Sequence, residues 1–163
     1  MTGLSTRAGG VLLREGGAQD IAAVMTVMDA AFDKQFGEAW NAQQCLGILG
    51  LPGVWLTIAS IGEDAVGFAL SRVILDEAEL LLLGVSPRFR RRGIGQALLD
   101  ATMENARHRG VNHLHLEVRQ GNPAISLYER NGFSEVGRRA DYYRGADGSL
   151  FDAFSLTRSL RRD

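Results

Sequence analysis

Four arginines and two glycines crowd the stretch Ser86-Pro87-Arg88-Phe89-Arg90-Arg91-Arg92-Gly93-Ile94-Gly95-Gln96. That composition suits phosphate. Glycines let the backbone approach closely, successive N–H groups converge on one oxygen cluster, and a helix starting there adds partial positive charge. The guanidinium groups add attraction for an anion. A Walker loop would need Gly-Lys-Ser/Thr and a dinucleotide fingerprint a third glycine, and the chain has neither here. A second constellation is His113, His115 and Glu117, which alternate along one strand and share a face, compatible with a two-His, one-carboxylate metal site. Strand histidines more often pack or cap, and no metal is expected. Asn122 stands where a helix cap belongs. Cys45 lies in a helix rich in Leu and Ile and reads as a buried thiol rather than a nucleophile.

The elements that must position these groups alternate in type. Val11–Glu15 reads as a strand. Ile21, Val24, Met25, Met28 and Phe32 recur at helical spacing, and a polar, aromatic-dotted segment from Asp33 to Trp40 leads to a second helix near Ala42–Leu49. Val54–Ile61, Ala65–Leu75 and Glu79–Val85 are expected strands, with a turn at Glu63-Asp64. The run Leu80-Leu81-Leu82-Leu83 implies burial on both faces, as in a central strand. A helix over Gly93–Arg109 stops at Gly110; His113–Val118 is a strand; a helix begins at Pro123 and is capped by Asn131-Gly132. Two last strands flank the hairpin signal Asp147-Gly148. This order favours a mixed α/β sheet.

The 163 residues, 45% hydrophobic and 23% charged, fit one globular domain, expected over residues 11–160 after a disordered lead-in over residues 1–10. The stretch from Cys45 to Gly62 is uncharged, but Pro52 and four glycines break it, so no membrane partner is expected. A single cysteine cannot form an internal disulfide, and a cytoplasmic location is the default expectation. The net charge of −1 hides a division. Residues 1–79 carry 4 Lys+Arg against 10 Asp+Glu, and residues 80–163 carry 14 against 9. The basic half is suited to an anionic ligand, whereas a chain near neutrality overall is a poor coat for nucleic acid, and no RNP-type strand accompanies the arginines.

Arg90-x-x-Gly93-x-Gly95, directly after the fourth expected strand, resembles the (Gln/Arg)-x-x-Gly-x-(Gly/Ala) acetyl-coenzyme A signature of the GNAT N-acetyltransferase family. Glu117-Val118-Arg119, Asn122, Ala124, Leu127-Tyr128-Glu129, Asn131-Gly132-Phe133, Tyr142-Tyr143, Asp147-Gly148 and Asp152-Ala153 extend the resemblance toward its ribosomal-protein-alanine N-acetyltransferases. The match is dense from about Leu75 to Leu156 and sparser before it.

The resemblance implies an α+β fold with a mostly antiparallel sheet, helices on its faces, and fourth and fifth strands that splay apart. It implies acetyl-CoA as donor, its pantetheine arm pairing with backbone at Leu83, Gly84 and Val85, and its phosphates near Arg90, Arg91, Arg92, Gly93, Ile94, Gly95 and Gln96, with Asn122 as a further contact. One polar residue familiar in that strand is Leu82 here. Glu117 would be the general base and Tyr128 the general acid for the leaving thiolate; a strand carboxylate whose pKa is tuned upward is chemically adequate for the first task. Phe36, Trp40, Tyr142 and Tyr143 would wall the acceptor groove, although Phe36-Gly37-Glu38-Ala39-Trp40 departs from the Pro-Trp common there. The expected activity is acetylation of the N-terminal alanine of a small-subunit ribosomal protein. Acetylation of lysine or small amines, and a noncatalytic acyl-CoA-binding module, are the alternatives. Asp33, Glu38, Asp76 and Glu77 are expected near the acceptor side, where they would suit a basic peptide.

Overall fold

The computed structural model describes residues 6–8 and 10–161. Its strands are β1 (Thr6–Ala8), β2 (Val11–Gly16), β3 (Val54–Ile61), β4 (Asp64–Ile74), β5 (Glu77–Val85), β6 (His113–Arg119), β7 (Ser134–Arg144) and β8 (Leu150–Ser159). Its helices are α1 (Ile21–Ala31), α2 (Ala42–Leu49), α3 (Ile94–His108) and α4 (Ala124–Arg130). The strands form one sheet in the order β1-β2-β3-β4-β5-β6-β8-β7. Every pairing is antiparallel except β5–β6. The mixed, mostly antiparallel architecture is therefore the one expected. The strand counted fourth from Val11 becomes β5 because Thr6–Ala8, three residues of the expected lead-in, pairs with Val11–Leu13. Residues 1–5 and 9 of that lead-in lie outside the described residues.

Local chemistry explains the boundaries. Asn41 and Gln44 form a reciprocal capping box at the start of α2, each side chain accepting from the other's backbone N–H at 2.8 Å. Gly93 (φ +75°) sits in the left-handed region immediately before α3 and Gly132 (φ +84°) just beyond α4, where a β-carbon is unfavourable. Two turns differ from expectation by small shifts. The β3–β4 turn is Gly62-Glu63, because Asp64 already pairs with Ile61. β5 begins at Glu77, two residues early, because Glu77 already pairs with Ile74 across a two-residue turn in which Leu75 takes φ +58°.

The sheet separates two apolar clusters. On one face, α3 and α4 lay Ile94, Leu98, Leu99, Met103 and Tyr128 against Ala69, Leu80, Leu114 and Leu116. On the other, α1 and α2 lay Val24, Val27, Met28 and Cys45 against Leu56, Ile58, Phe68, Leu70 and Leu82. β5 serves both. Leu70 pairs with Leu82 and Ser71 with Leu80, so Leu81 is an extra residue, a bulge. Leu80 and Leu83 consequently face the α3 side, and Leu81 and Leu82 the α1 side. The four-leucine run thus feeds both cores.

β5 and β6 pair only at Glu77–His113, Ala78–Leu114 and Glu79–His115. From Leu80 onward β5 leaves β6. The expected splay is present, and it leaves backbone groups of β5 without a strand partner on that side.

Candidate active site

Two adjoining cavities open at the splay. The larger, about 560 Å³, runs past Leu83, Gly84 and Val85 to the Arg-Gly turn and the first residues of α3. The smaller, about 110 Å³, lies between β5 and β6 and is lined by Glu79, Leu82, Glu117, Tyr128, Tyr142 and Tyr143 among others. Phe32, Glu38, Leu83, Asn122 and Ala124 border both. The residues expected for the donor therefore gather on one side of a junction, and those expected for chemistry on the other.

On the larger side, Arg90, Arg91, Gly93, Ile94, Gly95 and Gln96 all line the cleft. The first N–H groups of a helix have no intrahelical partner, and residues 93–96, which carry those groups here, line the cleft. The side chains contribute unevenly. Arg90 donates from Nη2 to the Ala31 carbonyl at 2.9 Å, tying the turn to the end of α1. Arg92, expected among the donor contacts, does not line the cleft; its guanidinium lies 5.3 Å from the centre of the Phe89 ring. Gln96 donates from Nε2 to Asn131 Oδ1 at 2.7 Å and accepts from Asn131 Nδ2 at 2.9 Å, so its side chain joins α3 to the end of α4. Gly84 is tight: a β-carbon there would lie 3.0 Å from Phe68 and 3.2 Å from Phe32.

Asn122 borders both cavities, but its amide is engaged. Oδ1 accepts from the Ala124 N–H at 2.8 Å, capping α4, and Nδ2 donates to Glu38 Oε2 at 2.7 Å. Glu38 also receives the Arg119 Nε–H at 2.8 Å, and both side chains of this pair are nearly buried, at 10% and 9% exposure. Arg119 in turn lies 3.6 Å from the centre of the Phe36 ring. This carboxylate–guanidinium–ring stack was not legible as a site, since Glu38 and Arg119 stand 81 positions apart. It also moves Phe36 onto the wall of the larger cleft and away from the groove where it was expected.

Glu117 sits two residues beyond the last β5–β6 rung. Ser155 donates to its Oε2 at 2.6 Å, and Arg139 Nε stands 3.2 Å from Oε1. Tyr128 is buried at 6% exposure, and that burial, with the charge of Glu38 adding to it, raises its hydroxyl above the ordinary tyrosine range. It keeps its proton. Tyr143 is raised in the same way, chiefly by burial, and its hydroxyl donates to the Glu117 carbonyl at 3.3 Å. Tyr142 packs edge-on against it, ring centres 4.8 Å apart, and remains 47% exposed. Trp40 lines the groove and also packs on the α1–α2 core. The carboxyl raised by its surroundings is Glu79, which sequence reasoning did not single out: loss of solvent comes first and the Glu117 charge second.

His113 and His115 stack with ring centres 6.2 Å apart, and His115 Nε2 leans to 3.4 Å from Glu77 Oε2. Among the described residues no three His, Cys, Asp or Glu side chains stand in a metal-binding group. Asp76 accepts from Asn112 Nδ2 at 3.2 Å at the β4–β5 tip and Asp33 borders the larger cleft, so of the four acids expected at the acceptor side only Glu38 lines the groove.

Comparison with known proteins agrees with this geometry. The ribosomal protein bS18-alanine N-acetyltransferase of Escherichia coli (strain K12) is 46% identical over 82 residues, 50% of this chain and 55% of that protein. Its Salmonella typhimurium counterpart is 48% identical over 96 residues, 58% of this chain and 65% of that one. The chain thus matches between about half and two thirds of the length of these curated relatives. An N-alpha-acetyltransferase of Sulfurisphaera tokodaii is 32% identical over 117 residues, covering 63% of this chain and 68% of that protein. The crystal structure of the Escherichia coli ribosomal-protein-S18-alanine N-acetyltransferase superposes with a TM-score of 0.83 at 29% identity, covering 94% of this chain and 96% of that one. The acetyltransferase (GNAT) family profile matches residues 21–133, which include the splayed strands, the Arg-Gly turn and both candidate catalytic side chains. With fold, signature and profile in agreement, the chain belongs to the acetyltransferase (GNAT) family.

Proposed function

We propose that the chain is an acetyl-CoA-dependent N-α-acetyltransferase whose acceptor is the N-terminal alanine of a small-subunit ribosomal protein. The observation that carries this reading is the junction: a cleft with an open strand edge and a helix N-terminus meets, at the splay, a groove that holds Glu117 and the buried, protonated Tyr128. Acetyl-CoA supplies the acetyl group as an activated thioester. The chain's own groups suit it. Unpartnered backbone of β5 can pair with the amide-bearing arm, and the N–H groups at residues 93–96, with Arg91 beside them, face its phosphates.

Glu117 accepts a proton from the attacking amine, directly or through one water, and Arg139 and Ser155 hold its carboxylate in place. Tyr128 donates its proton to the departing sulfur. The choice of an α-amine rests on the relatives' names and on energetics. Presenting a neutral lysine amine instead of a neutral α-amine costs about 3 kcal/mol more, because the two ordinarily lose their protons near pH 10.4 and 7.7–8.0 respectively.

An acetyl-transfer assay offering ribosomal N-terminal peptides, internal-lysine peptides and small amines side by side tests the acceptor. Glu117→Gln and Tyr128→Phe are each expected to lower kcat by about 10²-fold or more, with acetyl-CoA affinity within twofold of wild type. Full turnover in both variants would refute the mechanism. Tight acetyl-CoA binding without transfer to any amine would favour a noncatalytic binding module.

A further inference from the structure

Converting an ammonium to an amide removes two protons from nitrogen, and besides Glu38, which Arg119 and Asn122 engage, the groove offers two carboxylates. Glu79 occupies the last β5–β6 rung, opposite His115; Glu117 follows two residues later on the same face of β6. Both line the smaller cavity with Tyr142. Their circumstances differ. Glu117 has Ser155 on one oxygen and Arg139 beside the other, whereas Glu79 receives no hydrogen bond and forms no ion pair among the described residues. Glu79 is also exposed to solvent, which gives a proton it has accepted a way out. The charged and titratable groups around Glu79 are Arg72 from β4, His115 and Glu117 from β6, and Arg139 and Tyr142 from β7. Partial desolvation and Glu117 raise its carboxyl, and Arg139, His115 and Arg72 only partly offset them. A proton acceptor works best when its pKa approaches that of its donor, and the raised carboxyl lies nearer an α-ammonium than an ordinary glutamate does.

Building on the N-α-acetyltransferase reading, we infer that Glu79 is a second catalytic carboxylate, which takes the first proton from the incoming α-ammonium while Glu117 takes the second. Loss of that first proton to a Glu79 oxygen leaves the lone pair on nitrogen. The C–N bond then forms as the C–S bond breaks, Glu117 receives the remaining surplus proton, and Tyr128 protonates the sulfur. One of the two protons removed from nitrogen replaces that of Tyr128, and the other leaves to water.

The test compares wild type, Glu79→Gln and Glu117→Gln on an alanine-initiated peptide from pH 6.5 to 9.5. Glu79→Gln is expected to lower kcat/KM at least tenfold at pH 6.5, with the deficit shrinking to within about twofold at pH 9.5, where an α-amine of pKa about 7.7–8.0 arrives already neutral. Glu117→Gln should lose a similar factor at every pH, because its proton leaves nitrogen only after attack. Formate at pH 6.5 should partly restore Glu79→Ala. A Glu79→Gln deficit that is absent, or equal at all pH values, overturns the inference while leaving the proposed function standing. A wild-type chain that acetylates no N-terminal peptide overturns both.

Discussion

At the scale of single residues, the most consequential arrangement is the one least visible in the sequence. Glu38 sits in a loop that reads as polar connection, yet it neutralises Arg119 in a nearly buried pair and accepts from Asn122. Removing one partner of such a pair leaves an uncompensated charge. Glu38→Ala is therefore expected to cost about 3–5 kcal/mol, and replacing Arg119 as well, in Glu38→Ala/Arg119→Met, to recover a substantial part of it. Urea unfolding of the three proteins checks this; equal losses in single and double variants would count against a charge effect. Short-range chemistry was readable: the Arg-Gly turn, the Cys45 burial and the Asn122 cap all follow from residue type and neighbours. Arg92 and Phe36 were misplaced because each has a nearby aromatic or cationic partner, Phe89 and Arg119, that only the fold reveals.

At the scale of elements, helices and strands followed their periodicity closely, with α2, β3 and the end of β5 falling where expected. The exceptions share a cause. Neither the bulge at Leu81 nor the turn at Leu75 carries a glycine or asparagine signal, and a run of leucines looks the same with or without an extra residue. The loop after α1 is fixed against the β7–β8 hairpin by close backbone packing. A β-carbon on Gly37 would overlap the Arg144 carbonyl, one on Gly145 the Gln35 carbonyl, and Ala146 N–H donates to the Lys34 carbonyl at 3.1 Å. Gly37 also has φ +69°. Gly37→Ala is thus expected to part the loop from the hairpin, raising the KM for acceptor and donor severalfold, because Phe36 lines the larger cleft and Glu38 borders both cavities. Initial-rate kinetics with each substrate varied would show it, and an unchanged acceptor KM would mean that this packing does not shape the groove.

At the scale of the whole molecule, the charge division found in the sequence maps only partly onto the cavities. Arg90 and Arg91 from the basic half line the larger cleft, but Asp76 and Glu77 are engaged at the β4–β5 tip and by His115. Cys45 reports on the integrity of the whole. It is 1% exposed in the α1–α2 core, and burial raises its thiol above the ordinary range, so the native protein should resist thiol reagents at pH 8 and react only as it opens. Labelling that keeps pace with a free thiol in the absence of denaturant would show that this core opens readily. Ionisation of that thiol in the unfolded chain also makes stability decline as pH rises through the unfolded cysteine range, near 8.5.

The parting of β5 from β6 has a further meaning. An open sheet ordinarily has two edges, here β1 and β7, and proteins guard such edges because any extended chain can hydrogen-bond to them. In this sheet the parting strands expose further edge, set inside the molecule between two strands of the same layer. Phe32, Leu83 and Leu127 line the cleft that gives onto it. On the proposed reading, the main-chain groups that would receive the donor arm are thus also a strand-pairing liability carried inside the sheet.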